Sequence, residues 1–229
     1  MIKIILLIFP IFLFCGCIPR WDPLPPTPTP PIPTCEPKTI TDNTIDFCDD
    51  GDTINAKGGE WYNYASGDAK IPFPKSFIYT PGYGGCSYTI KIGCDLFNSN
   101  QNTYVILGTT LSSTKTPIDI SGKTGLKFCC KGEQGSYYFP LTMTVRVMIS
   151  SPSIFPTPGT NNNMYGITFT ASTYWTFVQV PFTDFTQESG WGDTVALSSA
   201  LQNTEAIEWK LVRESEQGKY LYVDEIEFY

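Results

Sequence analysis

From Cys35 to Tyr229 no long stretch shows helical periodicity, and apolar residues come in short alternating runs cut by Gly, Pro, Asn and Ser. Alternation at period two sends one side chain inward and the next outward, so each run reads as a strand with one buried face. Between Cys86 and Gly93 the residues Tyr88, Ile90 and Ile92 share a face. Between Gly125 and Gly132 the pattern sets Leu126, Phe128 and Cys130 inward and Lys127 and Lys131 outward. Leu141, Met143, Val145, Val147 and Ile149 form one face of the next run, and Thr142, Thr144, Arg146 and Met148 form the other. Further strands are expected at Tyr165–Thr170, Trp175–Val180, Ala206–Val212 and Lys219–Phe228. Many short strands with turn signals between them, and no internal repeat, predict an all-β, two-sheet antiparallel β-sandwich of the jelly-roll kind. About 195 residues suffice for one such domain, residues 35–229, with a full core. Trp61, Trp175 and Trp209 lie among inward-facing strand residues and are expected in that core.

The segment before it constrains location instead. Lys3 is followed by an apolar run from Ile4 to Phe14. That run is too short for a bilayer span, which takes roughly 20 residues as a helix, and suits the apolar region of a secretory signal. Phe14-Cys15-Gly16-Cys17 resembles a bacterial lipobox. The resemblance implies a signal peptide over residues 1–16, cleavage before Cys17 and lipidation of its sulfur. An ordinary signal peptide cut nearby is the alternative. Prolines at 19, 23, 25, 26, 28, 30, 31 and 33 follow, so residues 17–34 read as a lipidated cysteine and a proline-rich linker. Proline fixes φ and lacks a backbone donor, which favours an extended stalk of roughly 50 Å at about 3.1 Å per residue. Together these features predict an exported, membrane-anchored lipoprotein, periplasmic or at the cell surface.

Charge and composition narrow the function classes. Fifteen basic residues against 22 acidic ones, without a basic run, do not suit nucleic acid. Charged residues make up 16% of the chain while Phe, Trp and Tyr make up 14%, a balance that fits neutral partners. Histidine is absent. That removes Ser-His and Cys-His nucleophile pairs and the commonest ligand of zinc and copper. A metal, if bound, is most naturally an oxygen-liganded ion such as calcium. Beyond Cys15 and Cys17 six cysteines remain, Cys35, Cys48, Cys86, Cys94, Cys129 and Cys130. In an exported chain they permit up to three disulfides with the pairing open, the alternative being that some are simply small buried side chains. Cys129 and Cys130 are neighbours, so on a strand they face opposite ways.

Several blocks then align, in order, with one family. They are Ile45-Asp-Phe-Cys-Asp-Asp-Gly-Asp-Thr-Ile-Asn, Gly58-Gly-Glu-Trp-Tyr-Asn-Tyr and Thr80-Pro-Gly-Tyr-Gly-Gly. Ile118-Asp-Ile-Ser-Gly-Lys-Thr-Gly-Leu-Lys-Phe, Trp175-Thr-Phe-Val-Gln-Val-Pro-Phe-Thr-Asp-Phe and the closing Leu221-Tyr-Val-Asp-Glu-Ile-Glu-Phe-Tyr follow. Over residues 40–229 the chain resembles carbohydrate-binding modules of family 11, within the galactose-binding-like jelly rolls. The resemblance implies non-catalytic binding of β-glucan-like polysaccharide in a preformed cleft, with aromatic rings for the sugar faces and polar groups for the hydroxyls. It assigns Tyr64 and Tyr83 to sugar stacking, sets Trp191 near another aromatic ligand position, and leaves outward-facing Arg146 in reach of a hydroxyl. Each ring also suits ordinary sheet packing. The resemblance further implies a structural calcium ion between Asp49 on the first strand and Asp224 on the last, with Asp50 and Asp52 nearby. A solvated acidic turn is the other reading. The chain departs from the family where Cys48-Asp49 replaces Phe-Glu, and where Lys210-Leu211 stands at an aromatic sugar position.

Two other functions compete. A glycoside hydrolase or lyase would draw two carboxylates from Glu60, Asp184, Glu188 and Glu208. A protein-interaction module in an envelope complex is the third reading, since the same sandwich occurs in assembly factors of the respiratory complex I type, to which the likeness is weaker.

Overall fold

The computed structural model describes residues 38–66, 78–85, 88–94, 104–134, 143–152, 163–189, 194–212 and 219–229. The signal peptide, Cys17 and the proline-rich linker lie outside the described residues, as do Cys35, Cys86 and Trp191.

Eleven strands carry the described fold: β1 Thr44–Asp46, β2 Trp61–Ser66, β3 Ile78–Tyr79, β4 Thr89–Cys94, β5 Tyr104–Thr110, β6 Gly125–Gln134, β7 Met143–Ser150, β8 Tyr165–Ala171, β9 Thr176–Pro181, β10 Ala206–Val212 and β11 Lys219–Phe228. They form two antiparallel sheets. A six-stranded sheet runs β3-β4-β11-β6-β9 with β1 on the last residues of β11, and a five-stranded sheet runs β2-β5-β10-β7-β8. This is the jelly-roll sandwich that the alternation predicts. One short helix, α1 (Leu197–Gln202), interrupts it, with its Ala200 and Leu201 buried.

The core lies between the sheets. Trp61, Val105, Leu107, Val145, Val147, Ile207, Trp209 and Leu211 come from the five-stranded sheet. Ile90, Ile92, Leu126, Phe128, Cys130, Leu221, Val223, Ile226 and Phe228 come from the six-stranded one. Across the middle, Trp61 stacks on Trp209 at 5.8 Å and 23°, and Phe128 meets Trp209 edge-on at 5.6 Å. Asp46 joins the sheets by hydrogen bonds: Trp61 Nε1–H donates to its Oδ2 at 2.6 Å and the Cys48 amide to its Oδ1 at 2.7 Å. Burial pushes the Asp46 carboxyl up to about 6, against the two donors that lower it.

Among the described residues, β11 contains a change of phase. Leu221 and Val223 are inward at odd positions, whereas Ile226 and Phe228 are inward at even ones. A bulge between Asp224 and Glu227, with Glu225 at φ 52°, absorbs the extra residue.

Three expectations are corrected here. Asp49 is not on the first strand, which ends at Asp46; Cys48 turns the chain at φ 57°. Trp175 is not core: Val178 and Val180 take the inward parity of β9, so Trp175 packs outside against Tyr83 and Tyr222. Cys48, Cys129 and Cys130 are free thiols rather than disulfide partners, with Cys130 in the core and Cys129 on the opposite face, as adjacent strand residues must be.

Because Asp46 satisfies the indole and a buried amide at once, Asp46→Ala should lower stability by about 2–4 kcal/mol. The urea midpoint of the variant against wild type, with unchanged slope, measures it. A shift indistinguishable from an exposed Asp50→Ala control would refute the role.

Candidate functional site

The outer face of the five-stranded sheet gathers most of the polar and aromatic chemistry described. Strand register sets Tyr64, Ile106, Lys210, Arg146 and Thr168 in one row across all five strands. The next row on the same face is Tyr62, Gly108, Glu208, Met148 and Gly166. Two glycines shape it. A Cβ on Gly108 would lie 2.4 Å from the Tyr62 ring, so this glycine lets the tyrosine lie flat across β5. A Cβ on Gly166 would meet Met148 Cγ at 2.8 Å and Arg146 Nε at 3.1 Å, so both side chains fold over β8. Ile106, Met148 and Met164, with Tyr104 beside them, make a small apolar floor separate from the main core.

On this floor Tyr62 and Tyr64 stack at 6.5 Å and 10°, and Tyr104 meets Tyr64 edge-on at 6.3 Å. Lys210 Nζ sits 4.9 Å from the Tyr104 ring centroid. Glu188 Oε1 lies 3.7 Å from both Lys210 Nζ and Arg146 Nε, bridging the two cations. Its loop is stitched down by Asn163, whose Nδ2 donates to Glu188 O at 2.6 Å and whose Oδ1 accepts the Glu188 amide at 2.7 Å. Arg146 Nη2 donates to the carbonyl of Thr186. Burial lowers the Arg146 pKa, and the Glu188 charge opposes the shift.

Glu208 is the unusual member. It is 3% exposed, accepts the Tyr62 hydroxyl on Oε1 at 2.6 Å, and its buried Oε2 has no hydrogen-bond partner. Burial raises its carboxyl to about 7, only partly opposed by the Tyr62 donor and the Lys210 charge.

The residues singled out by sequence therefore separate. Tyr64 and Arg146 share the row just described, and Trp191 lies outside the described residues, three positions beyond Glu188. Tyr83 is on the other side of the sandwich. Its turn, Tyr83–Gly85, lies over the six-stranded sheet, where the Tyr83 amide donates to Asp224 Oδ2 at 2.8 Å and its ring meets Trp175 at 5.8 Å. Sequence reasoning did not assign Tyr62, Tyr104 or Lys210 to a binding face. The i, i+2 spacing of Tyr62 and Tyr64 was the available signal. Of the four acids considered for hydrolysis, Glu188 and Glu208 belong to this face, but Glu188 is tied to two cations and Glu208 is buried. Glu60 precedes β2, and Asp184 lies exposed in the turn Phe182–Asp184.

Asp49 and Asp224 do not fit a calcium cage. Asp224 accepts the Tyr83 amide and the Glu225 amide, one on each oxygen, both at 2.8 Å. Asp49 Oδ2 lies 3.5 Å from Lys38 Nζ, which also pairs with Glu225 at 2.7 Å. Among the described residues no group of three or more carboxylate or thiol side chains is placed to hold a metal ion. An ammonium group supplies the positive charge at this junction.

No protein-family model matches the chain. No curated protein sequence matches it either. Its fold does match solved structures. A family 11 carbohydrate-binding module from Clostridium thermocellum, solved in complex with a β-1,3-1,4-mixed-linked tetrasaccharide, is similar with TM-score 0.52 and 18% identity over 73% of this chain and 87% of that one. The family 11 module of a cellulosomal cellulase of the same organism gives TM-score 0.53 and 14% identity over 83% and 95%. At these identities the likeness is one of fold: the described domain is a two-sheet jelly-roll sandwich.

Two predictions follow from the electrostatics. Glu208, Asp224 and Asp46 are raised from 4.5, 3.8 and 3.8 to about 7, 7 and 6, so the native state holds these protons more tightly than the unfolded chain. Their stabilising contribution is complete below about pH 4 and is lost as pH rises through 6 to 7. The melting temperature should fall between pH 5 and pH 8, and Glu208→Gln should flatten that slope; an unchanged slope would count against the Glu208 assignment. At the Lys38 junction, melting in calcium and in EGTA should coincide, whereas a rise in calcium would restore the metal reading.

Proposed function

We propose that this protein binds β-glucan-like polysaccharide, without cleaving it, on the outer face of the five-stranded sheet. The row of Tyr64, Lys210 and Arg146, with Tyr62 stacked beside Tyr64, carries the reading. Near-parallel rings 6.5 Å apart offer a platform for the C–H faces of sugar rings. Arg146, Lys210 and Glu188 supply hydroxyl donors and acceptors at its side. The solved structures of similar fold support this reading by analogy, one of them having been determined with a mixed-linked tetrasaccharide. Glu188, held between two cations, is poorly placed as a general acid, and buried Glu208 already accepts the Tyr62 hydroxyl, which favours binding over hydrolysis.

The lipobox-like Phe14-Cys15-Gly16-Cys17 and the prolines after it supply the setting. In this reading Cys17 anchors the mature chain to a membrane and the linker holds the jelly roll out toward polymer, periplasmic or at the cell surface. Labelling with a palmitate analogue in a bacterial host, lost in Cys17→Ser, tests the anchor.

Affinity electrophoresis through mixed-linkage β-glucan tests the ligand. Wild type should be retarded, and Tyr64→Ala and Arg146→Met should each weaken retention by about tenfold, near 1.4 kcal/mol. Free migration of wild type in all neutral β-glucans would instead favour a protein-interaction module in an envelope complex.

A further inference from the structure

The six-stranded sheet carries an aromatic surface on its own outer face, which the reading above leaves unused. Tyr222 of β11 pairs with Lys91 of β4 on one side and Lys131 of β6 on the other, and Tyr220 lies one pleat along on the same face. Side chains from outside the central strands close over Tyr222. Tyr79 meets it edge-on at 5.3 Å, Trp175 at 6.3 Å, and Tyr83 meets Trp175 at 5.8 Å. Phe177, opposite Cys129, continues the patch. Tyr79, Tyr83 and Phe177 are 42%, 37% and 56% exposed, whereas the five-stranded face has only Tyr64 among the described large exposed apolar side chains.

Two ammonium groups stand in this aromatic field. Lys91 Nζ is 4.1 Å from the Tyr220 ring centroid, 4.4 Å from that of Tyr79 and 4.9 Å from that of Tyr222. Lys131 Nζ lies 5.0 Å from the same Tyr222 ring. Glu133 accepts the Tyr222 hydroxyl at 2.6 Å and sits 3.8 Å from Lys131. No ion pair among the described residues reaches Lys91. Its pKa is lowered, first by burial; Glu133 acts against the shift and the Lys131 charge acts with it. An incoming anion would offset, by its attraction, both the desolvation of Lys91 and the repulsion from Lys131. The two lysines belong to strands on either side of β11, about 10 Å apart at the backbone. Both side chains lean inward over the one Tyr222 ring, so the two ammonium groups converge on a stretch of polymer no longer than about two sugar units.

We propose that this face is a second polysaccharide surface, selective for chains that bear carboxylates. The rings of Tyr79, Trp175 and Phe177 take the C–H faces of the sugars, and Lys91 and Lys131 take carboxylates of a uronic acid polymer. A neutral chain leaves the Lys91 charge unanswered; an acidic one completes it. The surface is independent of the neutral-glucan reading and lies on the other side of the sandwich.

The test is calorimetric titration of the full chain with polygalacturonate and polymannuronate oligomers at low salt, with mixed-linkage β-glucan in parallel. Binding to at least one uronate oligomer is expected. It should weaken about tenfold in 0.5 M salt and by at least that much in Lys91→Met/Lys131→Met. Lys91→Arg/Lys131→Arg should retain it, and Tyr64→Ala should leave it intact while weakening β-glucan binding. Should the double methionine variant fail to fold, Tyr79→Ala and Phe177→Ala, both at exposed positions, must lower uronate affinity. No binding to either oligomer, or binding indifferent to these substitutions, overturns the proposal. Because β-glucan is scored separately, either surface can fail without the other.

Discussion

The buried hydrogen bond from the Trp61 indole to Asp46 is the contact on which the two sheets depend for their relative position. Asp46 ends the short strand that flanks the last residues of β11, while Trp61 opens the edge strand of the opposite sheet. Carboxylates seldom occupy a core, because burial favours the neutral acid. Here two donors meet the carboxyl, and the indole that it anchors stacks on Trp209, which Phe128 of the other sheet meets edge-on. Aromatic pairs of this kind contribute about 0.5–1.5 kcal/mol each beyond their buried area. The stack spans the sandwich in the layer that holds its two sheets together.

Once the inward positions are filled, every alternate side chain has to face out, and the outer faces acquire their chemistry from the same alternation. On the five-stranded sheet Tyr62 and Tyr64 are outward because Trp61 and its partners are inward. On the six-stranded sheet Lys91, Lys131 and Tyr222 are outward because Ile90, Ile92, Cys130, Leu221 and Val223 are inward. Glycine then sets depth: Gly108 lets Tyr62 lie across its strand and reach Glu208. A larger residue at 108 would lift the ring and uncover the carboxyl.

Much of this was legible in the sequence. The bounds of β10 and β11 coincide with those read from alternation, as do the inward faces of β6 and β7 over the described residues. The bulge in β11 was not read, although its signal is the switch from odd Leu221 and Val223 to even Ile226 and Phe228. The candidate site was less so. That Tyr62 reaches Glu208 depends on registers β2 to β5 and β5 to β10, which local spacing does not contain. Tyr83 matched a family aromatic in sequence yet lies on the other sheet, because Asp224 captures its amide from 141 positions away. Trp175 was misplaced for a simpler reason: it precedes the strand and falls on the parity of Phe177 rather than that of Val178.

The two outer faces differ most in how their charges are balanced. On the five-stranded face Glu188 bridges Arg146 and Lys210, while Glu208 holds its proton up to about pH 7. Each cation of that face therefore has a carboxylate oxygen at 3.7 Å, although the two share it. Asn163 also fixes the Glu188 loop before any ligand arrives, so less ordering entropy opposes binding. On the six-stranded face the tyrosines hold Lys91 in place without neutralising it, because cation–π attraction leaves the net charge unchanged. That residual charge asks for an anion. The two proposed surfaces thus rest on one local difference: both cations of the five-stranded face have a carboxylate within 4 Å, whereas no ion pair among the described residues reaches Lys91.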